Sequence, residues 1–83
     1  MEKDKFLLIR TPEFIKIVDD IDQHVDYVDR DPLFDNQLSR GIIDRALIKA
    51  YNDFGCKVAN DLIDTFRLVE SGWQKFCKSE DNI

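Results

Sequence analysis

Apolar residues recur along the chain with helical spacing rather than strand alternation. Phe14, Val18, Ile21, Val25 and Val28 are separated by steps of 4, 3, 4 and 3 residues. At about 100° per residue these five fall within roughly 80° of one another, a single stripe. Thr11-Pro12-Glu13 stands ahead of the stripe. Threonine caps a helix by accepting a backbone N–H, proline is pre-set for the first helical position, and glutamate suits the positive helix end. Asp31-Pro32 ends the run, because a residue before proline is pushed out of helical geometry. The spacing predicts a first helix over about residues 12–29.

A second helix, about 37–54, follows from Leu38, Ile42, Ala46, Leu47, Ala50, Tyr51 and Phe54, with Asp35 or Asn36 as its cap and Gly55 as its stop. Ala59, Leu62, Phe66, Val69, Trp73 and Phe76 then step by 3, 4, 3, 4 and 3, which predicts a third helix over about 57–77. Gly55 costs only about 1 kcal/mol inside a helix, so the second and third helices can also run on as one rod of roughly 60 Å. Phe6-Leu7-Leu8-Ile9 is too short to type and leaves residues 1–10 as an N-terminal arm. The expected fold is an all-α, small three-helix bundle: one domain over residues 1–83, with 79–83 a flexible acidic tail.

Composition agrees with a small folded domain. The 83 residues are 43% hydrophobic, too apolar for a disordered tail, and two prolines and three glycines exclude linker or collagen-like sequence. No apolar run exceeds the four residues Phe6 to Ile9, so neither a membrane span nor a secretory segment is expected. Cys56 and Cys77 lack metal-binding or CxxC spacing. Without a secretion signal they read as reduced thiols in a cytoplasmic protein. A domain this small has little stability margin, and a homodimer is a common remedy. The seam Leu62, Phe66, Val69, Trp73 and Phe76 is the expected oligomer contact.

Charge is unevenly placed. Residues 1–36 hold ten acids and five bases, whereas residues 37–78 hold five acids and seven bases. The whole net charge of −5 therefore resides in the first part of the chain. Within the first helix Asp19, Asp22, Asp26 and Asp29 step by 3, 4 and 3 and form a carboxylate ridge beside the apolar stripe, roughly 15 Å long. Like charges at this spacing destabilise a helix by a few tenths of a kcal/mol each. Three readings are open: a solvated face, pairing with Arg40, Arg45, Lys49 or Arg67, or docking on a basic partner. The ridge is about threefold sparser in charge than a DNA duplex, which carries one charge per about 1.7 Å. A local acidic patch, or at most a partial nucleic-acid mimic, is the reading this allows.

Catalytic signals are weak. Asp20, Asp22 and Asp26, or Asp29, Asp31 and Asp35, resemble fragments of a calcium loop but lack its central glycine and final glutamate. His24 is the only histidine and sits on the flank of the stripe with no nucleophile beside it in sequence. Cys56 follows Gly55 at a possible helix start, where a thiolate is favoured, yet no motif accompanies it. Arg40, Arg45, Lys49, Lys57 and Arg67 make an ordinary solvated surface, and no direct nucleic-acid contact is expected. The expectation is therefore a protein with no enzymatic activity, cofactor or metal, docking its acidic helix on a larger protein with a basic surface to inhibit or regulate it. Phage-encoded inhibitors of host or defence enzymes are often of this small acidic type. The alternative is a structural homo-oligomeric subunit.

Overall fold

A computed structural model describes residues 10–30 and 36–77, with the side chains of Asp29, Arg30 and Asn36 excepted. Of the expected arm over 1–10 only Arg10 is described, and the expected tail over 79–83 lies outside the described residues. The described residues are all-α and form three helices: α1, Pro12–Arg30; α2, Asn36–Phe54; and α3, Cys56–Thr65. A 3-10 turn follows at Leu68–Ser71, and the described residues contain no strand. None of these helices is long and apolar enough to cross a membrane.

α1 starts where its sequence says it should. The Phe14 backbone N–H donates to Thr11 Oγ1 at 3.1 Å, so Thr11 is the N-cap and Pro12 takes the first helical position. Phe14, Ile17, Ile21 and Val28 are buried, with Val18 and Val25 packed at the margin. Ile17 thus joins the predicted stripe and widens it toward α2.

α2 is rotated from its predicted face. Ser39, Ile43, Ala46, Leu47 and Ala50 are buried, while Leu38 is 61% exposed. Apolar residues surround much of this helix, so their spacing alone does not fix which side turns inward. A polar contact marks the inward side instead: Ser39 Oγ lies 3.0 Å from His24 Nδ1 on α1. Phe14 also meets Phe54 edge-on, with ring centroids 5.3 Å apart.

The chain between α2 and α3 turns at Gly55, whose φ of 103° suits glycine. Ala59, Leu62 and Ile63 of α3 complete the core with no exposed surface. Burying a side chain of the Leu, Ile or Phe class is worth roughly 1.5–3 kcal/mol. Truncating Leu47 or Ile63 to alanine would cost about 2–5 kcal/mol.

Two expectations need correction beyond Gly55. The third helix was expected over 57–77, but α3 ends at Thr65 and Arg67 takes a left-handed φ of 58°. The chain then turns back, passing Gly72 at φ 110°. The cysteines were expected as reduced thiols, but Cys56 and Cys77 form a disulfide with their Cα atoms 5.5 Å apart. The two corrections share one cause. A helix running from 56 to 77 would hold these residues roughly 31 Å apart at 1.5 Å per residue, and a disulfide needs Cα atoms within about 7 Å.

The returning segment is pinned along its length. Arg40 Nη2 donates to the Ser71 carbonyl at 2.6 Å, and its guanidinium lies 4.4 Å from the Trp73 ring centroid. Phe76 N–H donates to Asn60 Oδ1 at 2.7 Å, and Asn60 Nδ2 reaches the Cys77 carbonyl at 3.5 Å. Phe76 stacks on Tyr51 with centroids 4.9 Å apart, and Lys75 pairs with Asp64.

Candidate functional site

Burial of Phe14, Ile17, Ile21 and Val28 turns the opposite face of α1 to solvent. Asp19, Asp22 and Asp26 are exposed there. The side chain of Asp29, the fourth predicted ridge residue, lies outside the described residues. Ile15, one helical turn before Asp19, shares this face and is 56% exposed. The site is therefore a row of carboxylates with an apolar side chain at its N-terminal end.

Asp19, Asp22 and Asp26 find no cation among the described residues. Asp19 accepts a hydrogen bond from Gln23 Nε2 at 2.8 Å, and no described base forms an ion pair with Asp19, Asp22 or Asp26. The bases considered as internal partners are placed elsewhere. Arg40 holds Ser71 and Trp73. Lys49 bonds Asp53 at 2.8 Å. Arg45 lines a groove between α1 and α2, and Arg67 occupies the left-handed turn after α3. The neighbouring acid Asp20 behaves differently, accepting from Lys16 Nζ at 3.2 Å.

The groove has a volume of about 400 Å³, with Ile17, Ile42 and Ala46 as apolar lining and Lys16, Asp20 and Arg45 among its charged lining. Lys49 lies on it and is held above the usual lysine pKa, chiefly by its hydrogen bond to Asp53, then by the charge of Asp53 and, more weakly, of Glu13. Both signs of charge are interspersed, so the groove has less one-sided character than the ridge.

His24 and Ser39 bring together an imidazole and a hydroxyl that the sequence places 15 residues apart. Ser39 is only 1% exposed. A nucleophile has to reach its substrate, and this hydroxyl is sealed between α1 and α2. The pair acts as a polar clasp between the two helices. Among the described residues no group of three or more histidine, cysteine or acidic side chains could hold a metal.

The predicted oligomer seam is not one stripe. Leu62 is in the core, Trp73 is buried beneath Arg40, and Phe76 lies on Tyr51. Phe66 is partly buried, and Val69, on the 3-10 turn, is exposed. Its aromatic members are used largely to dock the returning segment on the chain's own helices.

Sequence reasoning missed Ser39, Asn60 and the structural role of Arg40. Asn60 offered a faint signal, as an amide beside the apolar Ala59 and Leu62 in a predicted helix, where a buried amide needs hydrogen-bond partners. No protein-family model, curated protein or solved structure matches this chain.

Proposed function

We propose that this protein is a non-enzymatic interaction module that docks the acidic face of α1 on a basic surface of a larger protein and thereby inhibits or regulates it. The observation that carries this reading is that Asp19, Asp22 and Asp26 are exposed and without a basic partner among the described residues. Repulsion among carboxylates at helical spacing weakens α1 on its own, and a basic partner would relieve it. Ile15 adds apolar area beside the charges, a combination suited to a protein surface. Inhibition of a host or defence enzyme by a phage-encoded protein is one setting this design suits.

Charges at a docking rim act mainly on association rate and salt dependence. The test captures the partner with the wild-type chain and compares a variant carrying Asp19→Asn, Asp22→Asn, Asp26→Asn and Asp29→Asn. Loss of at least about tenfold in affinity, with a flatter salt dependence, supports the docking role. Unchanged affinity and salt dependence in a folded variant contradict it.

The expected cytoplasmic placement belongs to the same proposal. A bonded Cys56–Cys77 pair suits an oxidising compartment, whereas cytoplasmic thiol reductants would favour the dithiol form. In the cytoplasm the protein would act with the two cysteines reduced.

A further inference from the structure

The disulfide sits at the end of a graded series of attachments. Trp73 is buried and its ring is covered by Arg40, which also holds the Ser71 carbonyl. Beyond Trp73 the contacts become more exposed. Gln74 is exposed, Lys75 meets Asp64 at the surface, and Phe76 stacks on a Tyr51 that is itself 42% exposed. Asn60 holds the Phe76 amide closely but reaches the Cys77 carbonyl only at 3.5 Å. Cys77 is therefore kept beside α3 chiefly by its covalent bond to Cys56.

That bond is open to exchange. Cys56 and Cys77 are each partly exposed, so a small thiol can approach. Cys56 is the first residue of α3, where the helix dipole stabilises a thiolate and makes it the better leaving group. We propose that Cys56–Cys77 is a thiol-controlled latch: reduction frees residues 74–77 from α3, while Trp73 stays docked and the three helices stay packed.

The step balances with two thiol equivalents, such as two molecules of glutathione. A glutathione thiolate bonds to the Cys77 sulfur as the Cys56–Cys77 bond breaks, and Cys56 leaves as a thiolate that takes a proton. A second glutathione thiolate then attacks the glutathione sulfur of the mixed disulfide and displaces Cys77, which is protonated in turn. The protein gains two electrons and two protons, and glutathione disulfide is the oxidised product. Release uncovers the Tyr51 ring and the Asn60 amide on α2 and α3.

The test follows amide hydrogen exchange in the full-length oxidised chain and in the same chain equilibrated with reduced glutathione. A Cys56→Ser, Cys77→Ser variant is measured beside them. The latch predicts at least tenfold faster exchange at the Phe76 amide in the reduced chain and in the variant, while amides of α3 such as Ile63 stay at least tenfold better protected than Phe76. Three results overturn it: protection at Phe76 that survives reduction, loss of protection throughout α1 to α3 in the reduced chain, or a bond that glutathione leaves intact while the protein is native.

Discussion

Cys56 and Cys77 are 21 residues apart in sequence, yet their Cα atoms stand 5.5 Å apart, which makes the segment up to Cys77 double back along α3. Closing a loop of this size stabilises the folded state by about 3 kcal/mol through the entropy it removes from the unfolded chain. Replacing both cysteines with serine is therefore expected to lower the melting temperature by on the order of 10–20 °C for a chain of this length. Thermal melts of oxidised wild type and variant, followed by circular dichroism, measure this. A shift of only a degree or two would mean that the unfolded chain gains little freedom when the bond is lost.

Asn60 joins the same return by a different chemistry. Its side chain is buried, and its Oδ1 satisfies the Phe76 amide. Asn60→Ala strands that donor and is expected to cost about 1–3 kcal/mol. Asn60→Asp keeps an acceptor in place and should lose less at the Phe76 amide. Urea denaturation of the pair checks the order. Equal losses would mean that the bond to Phe76 is not what Asn60 contributes.

Much of the fold was legible because it rests on local rules. Thr11-Pro12 starts α1 as capping chemistry predicts, and the three helical runs follow apolar periodicity. The end of the third run was not legible. Val69, Trp73 and Phe76 keep helical spacing, but Trp73 and Phe76 meet Arg40 and Tyr51 after the chain has reversed. Periodicity records which residues are apolar and not which element they pack against. The disulfide was not legible because it depends on the chain reversal after α3, which brings Cys77 beside Cys56 and leaves no mark in their spacing. The face of α2 turned inward was also hidden, since its marker, Ser39, needs His24 from another helix. For the candidate site, periodicity showed that the ridge acids share a face; only the packing shows Asp19, Asp22 and Asp26 exposed and apart from the four bases.

His24 and Ser39 should behave as a coupled pair. His24→Ala leaves the buried Ser39 hydroxyl without its histidine partner, and is expected to destabilise by about 1–3 kcal/mol. Adding Ser39→Ala removes the stranded group, so the double variant should lose less than the sum of the single losses. A chemical-denaturation cycle over the four proteins measures the coupling. Strict additivity would show that the 3.0 Å contact contributes nothing.

The glycines separate by backbone conformation. Gly41 lies within α2, and a Cβ there meets nothing within 4 Å, so Gly41→Ala should stabilise by about 0.5–1 kcal/mol. Gly72 has φ 110°, and a Cβ there would lie 3.1 Å from Arg40 Nη2. Gly72→Ala should destabilise by about 1–3 kcal/mol. Melting curves of the two variants should move in opposite directions; a Gly72→Ala protein as stable as wild type would contradict the strained turn.

The proposal that the acidic face of α1 docks on a basic surface has one decisive measurement. The captured partner is titrated with wild type and with the Asp19→Asn, Asp22→Asn, Asp26→Asn, Asp29→Asn variant at several salt concentrations. The variant should keep its helical circular dichroism and melt no lower than wild type, because repulsion along the helix is removed. Its affinity should fall at least about tenfold at low salt, and the two proteins should converge as salt rises. Equal affinity and equal salt dependence for the two folded proteins would contradict a docking role for the ridge and leave it a solvated face.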